Sequence, residues 1–152
     1  MPDSIQLCME HARRCLASAH ILFKDDDYPG AINRLYYGVF HSVRALLSND
    51  SAEFKKHSAV IAYFREKYVK TGIFEKRLSE IIGDLFEDRN GSDYNDYYFT
   101  DRESVETKIG NAAYFIDRIS EYLASTVKPN PLAPKEEARP LEELFADLDA
   151  DD

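Results

Sequence analysis

The side chains whose types could do chemistry are Arg34-Leu35-Tyr36-Tyr37 with His41 beyond them, a separate His57, and Arg89 followed by Asp93 and Tyr94. A guanidinium braces a phosphate through paired N–H donors. An imidazole, with an ordinary pKa of about 6.5, moves protons at neutral pH, whereas a phenol near about 10 is a poor base. His41 follows Arg34 by close to two helical turns, so on a helix the two share roughly one face. Arg34, Tyr36 and Tyr37 span more than one face. They read either as a buried tyrosine pair with Arg34 bridging helices, or with Arg34 turned toward a ligand beside Arg89. Arg89 reads either as a phosphate contact or as an ion-pair partner of Asp93, at a helix end where a cation also suits the helix dipole. Asp93 then orients Arg89 or caps the loop, and Tyr94 packs its ring or joins the chemistry. His41 and His57 read first as structural, and His11 and His20 as surface or boundary residues. Tyr94, Tyr97, Tyr98 and Phe99 could stack bases. Without interleaved Lys or Arg, they fit loop packing or a dimer contact better.

Several chemistries find no residues here. The chain holds no P-loop, glycine-rich dinucleotide turn, His-Glu-x-x-His helix or serine-nucleophile elbow. No Cys-x-x-Cys pair or Cys/His cluster suggests a metal, and no cofactor is expected. Cys8 and Cys15 lie about 10 Å apart along a single helix, too far for a disulfide within it, and read as core or boundary thiols of a reducing compartment. No stretch reaches the roughly 18 apolar residues of a membrane span, and the start lacks the pattern of a secretory signal, so a cytoplasmic location is expected. The net charge is −9. Residues 128–152 set Lys128, Lys135 and Arg139 against eight carboxylates, and residues 1–127 set 16 basic groups against 20 acidic ones. That balance argues against a tight non-specific nucleic-acid binder, yet leaves room for a local phosphate site.

The elements that must position these groups are helices. Apolar residues recur at three- and four-residue steps nearly throughout. Ile5, Cys8, Ala12, Cys15, Ala19 and Leu22 mark a helix over about 3–24. Pro29 opens a second, about 29–48, with Asp27 or Tyr28 near its cap. A third is expected over 53–70, closed by Thr71-Gly72, and a fourth over 73–89, with 90–100 an ordered loop. Thr100 or Asp101 can cap a fifth, over 101–126, facing inward through Val105, Ile109, Ala112, Ala113, Ile116, Ile119 and Leu123. The expected fold is all-α, an up-and-down bundle of about five helices in residues 1–127. Pro129, Pro131, Pro134 and Pro140 then mark a linker. Beyond it Leu141, Leu144, Phe145 and Leu148 recur at i, i+3, i+4 and i+7 among acids, as a short docking helix would.

Three blocks, in this order, resemble the HEPN family. Ala31-x-x-Arg34-x-Tyr36-Tyr37 precedes Val39-Phe40-His41, His57-Ser58-Ala59-Val60-Ile61 resembles the opening of the family's next helix, and Arg89-Asn90-Gly91-Ser92-Asp93-Tyr94 resembles its Arg-x-x-x-Asp-Tyr signature. The resemblance covers roughly residues 5–125. It implies a bundle that commonly dimerises around an interface cleft, and a metal-independent RNase carrying an Arg-x(4–6)-His motif. Some members are toxins paired with a minimal nucleotidyltransferase. Arg89 matches the motif arginine, but the allowed histidine positions hold Tyr94, Asn95 and Asp96. The phosphate clamp is kept and the proton shuttle is lost, so efficient cleavage by that mechanism is not expected unless another group, such as His41, replaces it. The expectation is a toxin-like or accessory protein. It binds RNA or nucleotide phosphate through Arg89, Arg34 and Asp93 at a homodimer cleft, beside a nucleotidyltransferase partner. The rival reading is a non-enzymatic interaction module that binds protein through its tail and tyrosine loop.

Overall fold

The computed structural model describes residues 3–94 and 100–126; of the side chains of residues 92–94 nothing is described. Five α-helices follow one another: α1 Asp3–Lys24, α2 Tyr28–Asn49, α3 His57–Phe64, α4 Lys76–Tyr94 and α5 Arg102–Thr126. A π-helical segment, Arg65–Val69, continues α3. The described residues contain no strand. None of their helices is long and apolar enough to cross a membrane.

Local chemistry sets several boundaries as the sequence predicts. Asp27 caps α2, its carboxylate accepting from the Gly30 N–H at 2.9 Å, with Pro29 in the first turn. Asp101 likewise accepts from the Ser104 N–H at 2.8 Å before α5. Gly72 takes φ +84° after the π-helical segment, a backbone state that costs glycine little.

The centre of the bundle is α2, which packs against α1, α3, α4 and α5. Every residue from Leu35 to Val43 is buried, the behaviour of a helix enclosed on all sides rather than one with a single apolar stripe. Tyr36 and Tyr37 are therefore both buried, on different faces. The closest approach of α1 is at Gly38, where a Cβ would lie 3.2 Å from the Ala12 carbonyl oxygen.

Three expectations shift. First, α3 begins at His57 rather than 53, because the chain leaving α2 must first turn, and Phe54 packs its ring on Tyr63 at 5.5 Å from outside the helix. Its register then relaxes into the π segment, where the Lys70 N–H reaches back to the Arg65 carbonyl. That lets Phe64 and Tyr68 both point inward while Arg65 bonds Ser79 on α4 at 2.9 Å. Second, α4 starts at Lys76, and Phe74 is buried from the preceding turn. It also runs to Tyr94, through residues read as loop. Asn90 and Gly91 are poor helix formers, costing about 0.5–1 kcal/mol each, but they are half-buried against the bundle, and packing prevails. Third, α5 buries Phe115 completely, a residue outside its anticipated stripe, while Ala113 is only half-buried. Residues 95–99 and 127–152 lie outside the described residues. With them fall Tyr97, Tyr98 and Phe99, the proline-rich linker, and Leu141, Leu144, Phe145 and Leu148.

Candidate functional site

The bundle gathers Arg34 and Arg89 on one tyrosine. From α4, Arg89 donates through Nη2 to the Tyr37 hydroxyl at 2.9 Å. Its guanidinium lies 5.2 Å from the Tyr37 ring centre and 5.5 Å from that of Tyr36. From α2 itself, Arg34 lies 5.0 Å from the same Tyr37 ring. Arg34 is fixed by Asn33, whose amide oxygen accepts from Nη2 at 2.8 Å and Nε at 3.2 Å, and by a long contact to the Cys15 sulfur of α1 at 3.9 Å. Two cations from different helices thus share one aromatic face system, each gaining from the ring's quadrupole. Arg89 lies inside α4, five residues before its end, so the helix-terminus dipole does not explain its position.

Tyr36, fully buried, meets His57 at the start of α3: its hydroxyl lies 2.9 Å from His57 Nδ1. Burial pushes the Tyr36 phenol far above its ordinary pKa, with Arg89 pulling the other way. It therefore stays a neutral phenol at physiological pH, able to donate to His57 or accept from it. The His57 ring stacks on Phe40 at 4.0 Å and meets Tyr37 edge-on at 6.0 Å. His41 is buried, with its ring 5.1 Å from that of His11 on α1 and 6.4 Å from that of Tyr37. His20 is exposed.

Arg34, Arg89, His41 and His57 are thus all grouped around Tyr36 and Tyr37. Tyr36 and Tyr37 are a buried pair, and Arg34 and Arg89 each lie against the Tyr37 ring. Asp93 and Tyr94 occupy the last turn of α4, and the pairing of Asp93 with Arg89 falls on a side chain outside the described residues. Asp88, next to Arg89, is held by Lys108 of α5. Sequence reasoning read His57 first as structural, because the Tyr36–His57 contact spans 21 positions and no local period encodes it. The block that opens at His57 was the only signal. Chemically, the cluster combines two guanidinium groups that suit an anion, aromatic rings and two imidazoles.

A family model described as the HEPN domain matches residues 5–122. The chain is 36% identical over 119 residues to a UPF0332 protein of Thermotoga maritima, a match covering 78% of this chain and 90% of that one. It is also 36% identical over 121 residues to a Methanocaldococcus jannaschii protein named "Putative toxin", covering 80% of this chain and 90% of that one. The family model spans the helices that carry the two arginines, the tyrosine pair and His57, and on that ground the chain belongs to the HEPN domain family.

Proposed function

We propose that this chain is a toxin-type HEPN protein whose Arg34–Arg89 pair binds the phosphate of RNA or of a nucleotide, with little or no metal-independent cleavage. The observation that carries this reading is the meeting of the two guanidinium groups on Tyr37, at 5.0 and 5.2 Å from one ring. Two cations on one ring repel one another, and an anion bound by both offsets that repulsion. The name of the Methanocaldococcus jannaschii relative supports the toxin part of the reading. The missing motif histidine limits the chemistry, since Tyr94 is a poor base at neutral pH. Within this reading the protein works as a homodimer in the cytoplasm, and a nucleotidyltransferase is its natural protein partner.

Titration of single-stranded RNA and of ATP into the purified protein tests the proposal. Arg89→Ala and Arg34→Ala should each weaken binding about tenfold or more, the worth of one charge-assisted hydrogen bond. RNA incubated with chelator should stay intact. Strong metal-free cleavage that Arg89→Ala abolishes would overturn the non-cleaving part, with His41 or His57 the group to mutate next. Unchanged binding in both variants would leave the arginines as packing residues and the chain as a protein-interaction module.

A further inference from the structure

The α1–α2 end of the bundle carries an open groove of about 390 Å³, lined by Ser4, Cys8, Arg44, Leu47, Phe54 and Val60 among others. Its lip is unusual. Phe54 is 43% exposed, a large apolar ring at the surface, and Lys55 and Lys56 follow it, both exposed, with Arg44 exposed on α2. We infer that this groove is the docking site of the chain's own acidic C-terminal segment, with Leu144 and Phe145 of residues 141–148 seated against Leu47, Phe54 and Val60.

Reach, charge and the need for cover each support that occupant. The helices α1 and α5 run antiparallel: Arg13 pairs with Asp117 at 2.7 Å, and Arg102 lies over Phe23. Ser4 is nine residues before Arg13, and Thr126 nine after Asp117, so equal steps of about 13.5 Å bring the end of α5 level with the groove. From there the proline-rich residues 129–140 can extend by about 35 Å, more than the crossing needs. Between Leu141 and Asp152 the chain carries six carboxylates and no basic group, while the groove sets Arg44, with Lys55 and Lys56 at its lip, against the single carboxylate of Glu53. Another groove of equal volume, between α4 and α5, sets Asp84, Asp101 and Glu103 against Lys108, itself paired with Asp88, and would repel the same segment. A helix of two turns is unstable alone in water, so its order must come from such burial. The inference stands apart from the phosphate site and needs no ligand.

Amide hydrogen exchange on the full chain tests it. Residues 141–148 should exchange about tenfold or more slowly than a random coil. Leu144→Asp with Phe145→Asp should remove that protection. So should Arg44→Glu with Phe54→Asp, which alters only exposed groove residues and should leave exchange in α2 and α5 unchanged. Asp84→Lys, in the other groove, should leave the protection intact. Random-coil exchange in the unmutated chain, or protection indifferent to the Arg44 and Phe54 changes, would overturn the docking. Protection that disappears on dilution would assign the segment to a second copy and equally overturn the intramolecular site.

Discussion

Beyond the cluster around Tyr37, a described carboxylate whose ionisation is clearly displaced is Glu75, just before α4. Its carboxyl is held at about 2, first by the hydrogen bond from the Tyr114 hydroxyl and then by Arg118, whose Nη2 lies 3.3 Å away. A carboxylate whose folded pKa is depressed stabilises the fold fully above its unfolded pKa, and loses that contribution as pH falls through the folded value. The window here runs from about 4.5 down to about 2. Glu75 is partly exposed, so the effect is modest. Urea unfolding should show the unmutated chain losing stability between pH 5 and pH 3 by more than Glu75→Gln does. Equal pH slopes would show that the Tyr114 and Arg118 contacts do not persist in solution. At the phosphate site, Arg89→Lys should bind RNA more weakly than the unmutated protein but better than Arg89→Ala. Lysine keeps the charge and loses the paired N–H geometry, and a filter-binding titration would rank the three.

At the scale of the elements, two contacts hold the helices in place. Asp50, which follows α2, accepts hydrogen bonds from the hydroxyls of Tyr63 at 3.0 Å and Tyr68 at 2.5 Å, fastening α3 and the π segment to the end of α2. Burial and the nearby carboxylate both push the Tyr68 phenol up, so it remains a donor across the physiological range. Asp50→Ala would strand a buried hydroxyl, and should cost about 2–3 kcal/mol in denaturant unfolding. Tyr68→Phe, which removes the donor as well, should cost less. The second contact is the close approach of α1 and α2. Gly38→Val would press methyl groups into the Ala12 carbonyl and the Cys15 side chain, and should destabilise by roughly 1–3 kcal/mol through forced separation of the two helices. Thermal unfolding of that variant is the direct measurement, and an unshifted midpoint would mean the helices separate without cost.

For the whole molecule, the proposed homodimer makes a quantitative demand. Light scattering at tens of micromolar should give twice the chain mass, with a two-fold interface above roughly 1,000 Å², about the lower bound for a specific contact. A monomer at that concentration would remove the cleft from the proposed function, and phosphate would then have to be held by Arg34 and Arg89 of one chain. Large apolar side chains that the described residues leave exposed, Ile21, Ile73 and Tyr114, are where such an interface would gain most. Substituting aspartate at each in turn, with scattering as the readout, would locate it.

What the sequence determined by itself was local. Apolar spacing alone called for the five helices of the bundle, and Asp27 with Pro29, Gly72 and Asp101 marked boundaries because caps and left-handed turns depend on a few adjacent residues. The three ordered blocks also pointed to the family, whose model matches residues 5–122. Only the tertiary structure decided the rest. Enclosure by four helices buried both Tyr36 and Tyr37, which the sequence had offered as one of two readings. Packing carried α4 through Asn90 and Gly91 to Tyr94, against their propensity, and it chose Phe115 over Ala113 for the core. The candidate site belongs to this second group. Arg89 meets Tyr37 across 52 positions and His57 meets Tyr36 across 21. Such contacts depend on how helices cross, and a periodicity of 3.6 residues shows which way a side chain faces but not what stands opposite it.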